Sequence, residues 1–246
     1  MVREDFALAP TSKASIVATI GLHGSASTWV YNIVRELLLA THGVDAAKAC
    51  YADRVEDLPS DFGPETPVVI KSHHGSPEFD AFLRAHEATK ILSLRDPRDA
   101  ALSMAQRFRT PLQHTVHWLL RDCRRMAGVL NDADLVLKYE DRFFDQRAAV
   151  DKIALCLGVT VDAAKTSKLF DEYRTEAVRA FAACVSDLSP ERIDETNASK
   201  YDRITHIHNI HVGDAQSGKW RRLPRKTRDD MTKVFSPYLR QFGYTL

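Results

Sequence analysis

Residues 15–40 constrain this chain more than any other stretch: SIVATI leads into GLHGSAST, which leads into WVYNIVRELLLA. Six largely β-prone residues precede a turn of small ones. The turn opens onto a segment whose apolar residues Trp29, Val30, Ile33, Val34, Leu37 and Leu38 recur at helical spacing. The pattern predicts strand, phosphate loop, helix. Gly21, Gly24, Ser25, Ala26 and Ser27 are small enough to let backbone N–H groups approach an anion, and a helix starting near Thr28 adds its positive end. An ordinary strand-to-helix turn is the structural alternative, so the rest of the chain has to decide.

Three further strands are predicted, each running into polar residues. Val68-Val69-Ile70 precedes Lys71-Ser72-His73-His74-Gly75, residues 90–94 precede Arg95-Asp96-Pro97-Arg98-Asp99, and Leu135-Val136-Leu137 precedes Lys138-Tyr139-Glu140-Asp141. Helices are expected at 77–86, 97–108, 112–130, through Val150, Ile153, Ala154 and Leu157 up to Gly158, at 161–185 and at 224–242. Residues 44–67, punctuated by Pro59, Gly63, Pro64 and Pro67, read as a surface connection with one short helix. Residues 186–218 have no sustained period and read as a lid or binding loop. Strands alternating with helices imply an α/β fold: a single domain over 1–246 with a mainly parallel central sheet flanked by helices on both faces. Ligands in such sheets sit beyond the carboxyl ends of the strands.

Composition narrows the partner. Lys and Arg (34) nearly balance Asp and Glu (33), so no global field attracts nucleic acid or an anionic membrane, and an anion site must be local. The first ten residues carry charges where a signal peptide needs an apolar core, and no run approaches the ~18 apolar residues of a membrane helix, so a cytoplasmic protein is expected. Cys50, Cys123, Cys156 and Cys184 lie far apart with no CxxC pair and read as buried free thiols in a reducing compartment.

A nucleoside-triphosphate loop reads GxxxxGK[ST]; Gly21 and Thr28 match, but Ala26 stands at the second glycine and Ser27 at the lysine. That argues against ATP or GTP chemistry. The loop still offers backbone N–H groups and the hydroxyls of Ser25, Ser27 and Thr28 to a phosphate, and Trp29 offers a flat face to a base. Arg95 and Ser103 lie about two turns apart along the following helix, a fork of donors plus a hydroxyl suited to a second phosphate. The alternative for Arg95 is an ion pair with Asp96 or Asp99.

Together, GLHGSASTWVYN, KSHH, LRDPRDAALS, LKYED and the late GKW resemble, in order, the motifs of the cytosolic-type sulfotransferases. These use 3′-phosphoadenosine 5′-phosphosulfate (PAPS) and release adenosine 3′,5′-bisphosphate (PAP). LRDPRDAALS, which resembles the family's RNPKDxxxS, is the most specific of the five. The resemblance implies a P-loop-like domain in which Ser25, Ala26, Ser27 and Thr28 hold the 5′-phosphate side, Trp29 stacks on adenine and Tyr139 contacts its edge. It gives the 3′-phosphate to Arg95 and Ser103, with Lys219 of GKW close by. Since KSH resembles the family's KTH, it makes His73 the catalytic base and places Lys71 near the bridging oxygen, with His74 as the local competitor. The activity implied is sulfuryl transfer to a hydroxyl or amine of a small molecule or glycan, with no metal.

The physical reading of the residues agrees. A neutral imidazole with an ordinary pKa of about 6.5 accepts a proton near neutral pH. Transfer in line needs positioning and charge on the leaving phosphate more than covalent chemistry, by analogy with phosphoryl transfer, and Lys71 supplies that charge. Two positions depart from the family pattern. Gly24 stands where relatives carry a basic residue, and GDAQSGKW replaces the late RKGxxG, with Lys219, Arg221 and Arg222 nearby. The chain shows no match to the family's C-terminal dimerisation motif.

His206, His208 and His211 have an HxHxxH spacing that reads as exposed loop histidines or as part of an acceptor site or nucleotide lid, ahead of a zinc set, for which Asp214 is the only nearby carboxylate. His114, His117 and Trp118 are candidates for an acceptor pocket or a helix packing face. Competing functions on the same architecture are a small-molecule or nucleoside kinase, and a non-catalytic module that binds a phosphonucleotide.

Overall fold

The computed structural model describes residues 16–43, 47–60, 66–196, 199–210 and 212–246. Five parallel strands, β1 (Ile16–Gly21), β2 (Lys48–Tyr51), β3 (Val68–Ser72), β4 (Thr89–Leu94) and β5 (Leu135–Lys138), form the central sheet in the order β2-β3-β1-β4-β5. β1 is buried at all six residues, and its neighbours are in register with it: Ala18 lies opposite Ile70 on one side and Lys90 on the other.

Alternate residues of each strand feed two separate cores. Ile16, Ala18, Ile20, Val68, Ile70, Leu92 and Leu94 pack toward one face, and Val17, Val69, Ile91 and Leu137 toward the other. The helices are α1 (Ser27–His42), α2 (Pro77–Ala85), α3 (Pro97–Phe108), α4 (Leu112–Val129), α5 (Arg147–Leu157), α6 (Ala163–Tyr173), α7 (Thr175–Cys184) and α8 (Arg225–Gln241). The first core is closed by α2, α3, α4 and α8; the second is closed by α1, α5 and α6. β1 therefore feeds a helix on one face, whereas its neighbours β3 and β4 feed helices on the opposite face. The carboxyl end of β1 is the switch point where an α/β sheet opens a crevice.

Three sequence expectations are corrected. Residues 44–67 are more than a connection: β2 lies there, with a 3₁₀ turn at Val55–Asp57. Residues 161–185 form two helices, because Arg174 between α6 and α7 takes an extended backbone (φ −61°, ψ 159°). Residues 186–218 include an antiparallel hairpin, β6 (Ile193–Thr196) and β7 (Ser199–Asp202), extended by a bridge from Tyr201 to His208. Parts of these stretches lie outside the described residues. All four cysteines are free, but only Cys123 is buried; Cys50 and Cys156 are half-buried and Cys184 is exposed. Among the described residues no helix is long and apolar enough to cross a membrane.

Candidate functional site

A cavity of about 960 Å³ opens over the carboxyl ends of β1, β3 and β4. Its floor is the loop after β1. Gly21 is required there, because a Cβ would fall 2.3 Å from the Ser27 Cβ and 2.5 Å from the Ser93 Oγ. Gly24 and Ala26 both adopt left-handed conformations (φ 77° and 62°). Ala26 thus keeps the backbone of a glycine at a strain of about 1–2 kcal/mol. Ser27, Thr28 and Trp29, all buried, begin α1 and line the cavity with Gly24 and Ala26. Ser25 points elsewhere: its hydroxyl meets the Ser93 Oγ at 2.8 Å beneath the loop. The Trp29 ring packs against Phe143 at 5.4 Å, and its buried Nε1 has no partner among the described residues.

Arg95, at the end of β4, donates to the Gly24 carbonyl and to the Gln216 carbonyl, each at 2.8 Å, and its guanidinium lies 3.9 Å above the Tyr139 ring. The two acids next to it have other partners. Asp96 caps α3 and pairs with Arg98 at 2.8 Å. Asp99 accepts from the backbone N–H of Gly218 and, at 2.9 Å, from that of Trp220. That anchors the 3₁₀ turn Lys219–Arg222 against α3 and brings Lys219 to the cavity wall, where its Nζ meets Asp214 at 3.1 Å and Gln106 at 3.2 Å. Arg95, Ser103, Tyr139 and Lys219 all line the cavity; Arg221 and Arg222 are exposed.

On the other side of the loop, β3 delivers Lys71 and His73. The His73 Nδ1 lies 2.5 Å from the Gly21 carbonyl. A carbonyl only accepts, so Nδ1 carries the proton and the neutral ring presents its lone pair at Nε2. That Nε2 meets the Lys71 Nζ at 3.2 Å. Burial pushes the Lys71 ammonium down to about 7, with the nearby Arg107 guanidinium adding to the effect and Asp53 opposing it. Burial also holds His73 well below its ordinary value, helped by the neighbouring His23 and Lys71. Asp53 fixes this strand end, accepting from the Ser72 hydroxyl (2.6 Å) and from the backbone N–H groups of His73 (2.9 Å) and His74 (2.8 Å).

Next to His73 stands a cluster that the sequence does not announce. The His23 Nδ1 lies 2.6 Å from Asp122 Oδ2, and the His74 Nδ1 lies 3.0 Å from Asp122 Oδ1. Trp118 donates its indole N–H to the His74 Nε2 at 3.0 Å. Two imidazoles and a carboxylate this close resemble a metal-ligand set, but the indole is a donor only. The His74 Nε2 must therefore be the acceptor, so Nδ1 carries the proton and is unavailable to a metal. The cluster is a carboxylate that accepts from His23 and lies close against the ring of His74. Although burial pushes the Asp122 carboxyl up, the two imidazoles prevail and hold it at about 2.

The far end of the cavity is neutral and aromatic. Tyr201 stacks on His206 and His208, and burial pushes both histidines down to about 3. The His208 Nδ1 meets the Ser199 hydroxyl at 2.7 Å; His211 lies outside the described residues. Trp118 lines the cavity beside His23 and His74, whereas His114 and His117 face solvent. Arg107, in the last turn of α3, also lines the cavity. Its Nε is buried without a partner, burial lowers its pKa to about 10, and no carboxylate pairs with it among the described residues. It is a cation facing the cavity, close enough to Lys71 and His208 for its charge to act on both.

No family model matches the chain, and no curated protein matches it in sequence. Solved structures do match it in fold. Mouse sulfotransferase SULT7A1 complexed with PAP superposes with a TM-score of 0.62 at 14% identity, over 92% of this chain and 84% of that one. Retinol dehydratase with retinol and PAP gives 0.59 at 14% identity, over 92% and 82%. Retinol dehydratase with androsterone and the inactive cofactor PAP gives 0.58 at 14%, over 92% and 80%. The chain therefore has the fold of these PAP-bound proteins, with its cavity over the carboxyl ends of the parallel sheet.

Proposed function

We propose that the protein transfers a sulfuryl group from PAPS to a hydroxyl or amine of a small molecule or glycan, releasing PAP, without a metal. The observation that carries this reading is that the loop after β1, Lys71 at the end of β3 and Arg95 at the end of β4 open onto one cavity, in a fold whose solved neighbours hold PAP. In this reading the loop N–H groups and the hydroxyls of Ser27 and Thr28 take the 5′-phosphate side, and Trp29 takes the adenine face. Arg95, Ser103 and Lys219 take the 3′-phosphate. Ser25 supports the loop from below through Ser93.

Lys71 and, from α3, the nearby Arg107 supply the positive charge that the leaving phosphate needs. An imidazole takes the acceptor's proton, and the family resemblance names His73 for it. Tyr201 and the uncharged His206 and His208 give the acceptor end a flat, neutral lining, which fits an uncharged acceptor with an apolar ring.

The experiment is a screen with ³⁵S-labelled PAPS against phenols, aliphatic alcohols, arylamines and neutral sugars. Label is expected to move to at least one class with release of PAP. Absence of transfer from a protein that binds PAP would point instead to a non-catalytic nucleotide module.

A further inference from the structure

We propose that the proton of the acceptor goes to Nε2 of His23, with Asp122 behind it, and that His73 positions Lys71. This rests on the sulfotransferase reading and reassigns one role within it.

The two imidazoles lie face to face, with ring centroids 3.9 Å apart, and both line the cavity. Their partners differ. Both nitrogens of His73 are engaged within the protein, Nδ1 at the Gly21 carbonyl and Nε2 at the Lys71 Nζ. Its ring meets no carboxylate among the described residues: Asp53 reaches only its backbone N–H. A proton arriving on His73 would sit between a carbonyl, the Lys71 ammonium and the rings of His23 and His74, with no anion to offset it. His23 has the opposite arrangement. Its Nδ1–H is held by the fully buried Asp122 carboxylate at 2.6 Å, and its backbone N–H reaches the same oxygen at 3.2 Å. Its Nε2 has no protein partner among the described residues.

An imidazole whose Nδ1–H faces a carboxylate is locked in the tautomer that accepts at Nε2, and the carboxylate stabilises the imidazolium once formed. Of the charged or titratable groups acting on His23, Asp122 favours the protonated ring, and His74, Lys71, the stacked His73 and His208 oppose it. Burial lowers both imidazoles, but His73 falls well below its ordinary value with only the Gly21 carbonyl opposing, while Asp122 pulls His23 back up. Of the pair, His23 is the better base.

The step balances without a co-reactant. The acceptor oxygen or nitrogen forms its bond to sulfur as the bond from sulfur to the bridging oxygen breaks. The electron pair of that bond leaves on PAP, the acceptor's proton moves to the His23 Nε2, and the ring returns it to solvent after release. His73 keeps Lys71 turned toward the donor instead of toward bulk water.

The test starts with calorimetric titration of PAP into wild type and into His23→Gln, His73→Gln and Asp122→Asn. Failure of the wild type to bind PAP removes the sulfotransferase reading and this proposal with it. With PAP bound, nitrogen-detected NMR over about pH 5–8 reads the tautomer and protonation of each ring, the range in which imidazoles titrate. His23 is expected as the Nδ1–H tautomer, taking its second proton at higher pH than His73, and Asp122→Asn is expected to lower its midpoint by about one pH unit or more. His73 titrating first, or a His23 midpoint indifferent to Asp122→Asn, overturns the proposal while leaving the sulfotransferase reading intact. In turnover, His23→Gln and Asp122→Asn should lower kcat by about 10²–10⁴-fold with KM nearly unchanged, and His73→Gln should lower it less. The reverse ranking also overturns the proposal. Should Asp122→Asn fail to fold, the His23→Gln and His73→Gln comparison decides alone.

Discussion

Truncating Arg95 separates a reader of the 3′-phosphate from a residue that merely braces the loop. A guanidinium carries five N–H donors. In the structure two of them are taken, by the Gly24 and Gln216 carbonyls at 2.8 Å, and the buried Nε has no partner among the described residues. Three donors therefore remain for an anion, beside the Ser103 hydroxyl that lines the same cavity. A charged hydrogen bond of this kind contributes about 1.5–3 kcal/mol, so Arg95→Ala is expected to weaken PAP by roughly 10–150-fold. Adenosine 5′-phosphate, which lacks the 3′-phosphate, should lose much less. Some loss is common to both nucleotides, because the tie from Arg95 to Gly24 also shapes the loop. The informative quantity is the difference between the two losses. Titration calorimetry of wild type and variant against both nucleotides measures it, and equal weakening of the two would refute the 3′-phosphate assignment.

Three further perturbations follow from the same geometry. Lys71 is held down to about 7 in the ligand-free site, so above pH 7 it is increasingly neutral, and an arriving anion restores its charge; PAP binding at pH 8 is expected to take up as much as about one proton. Calorimetry in buffers of different ionisation enthalpy reads this uptake, which should vanish in Lys71→Met and fade below about pH 6; an uptake unchanged in the variant would contradict it. Gly75→Ala would place a Cβ 2.2 Å from the Arg125 guanidinium, which holds Ser72 and Asp80. A loss of about 1–3 kcal/mol is expected, visible as a lower melting temperature, and an unchanged melt would show that Arg125 has room to move. Arg107→Gln should lower kcat by at least about tenfold, as for loss of one stabilising donor, while PAP affinity stays within roughly threefold; a parallel fall in PAP affinity would place Arg107 on the nucleotide instead.

What the sequence made legible depended on burial. β1 and α1 are covered along most of their length, so their apolar spacing is continuous and the loop between them stands out. β2 is four residues long and half-exposed in alternation, a pattern too short to distinguish from a loop, and Asp53 just beyond it was lost with it. The strand ends carrying Lys71, His73, Arg95 and Tyr139 could be read because each polar residue follows directly on a buried run. Asp122, His23 and Arg107 could not. Asp122 looks like one more charge on an amphipathic helix, and only the packing of α4 against the loop makes it fully buried. Arg107 looks like an ordinary cation in a last helical turn. Ser25 shows the opposite effect: the motif suggests a phosphate ligand, and the fold turns its hydroxyl inward to Ser93.

Thermal denaturation with PAP or with ATP and magnesium shows whether the cavity holds an adenosine 3′,5′-bisphosphate. A ligand at ~100 times its dissociation constant adds about 2.7 kcal/mol to the folded state. For a chain of this length that corresponds to a rise in melting temperature of roughly 5–10 °C. The loop has Ser27 where a triphosphate loop has its lysine, so PAP should raise the melting temperature by that amount and ATP with magnesium should have little effect. Stabilisation by ATP with magnesium and none by PAP would rule out the sulfotransferase reading and favour a kinase.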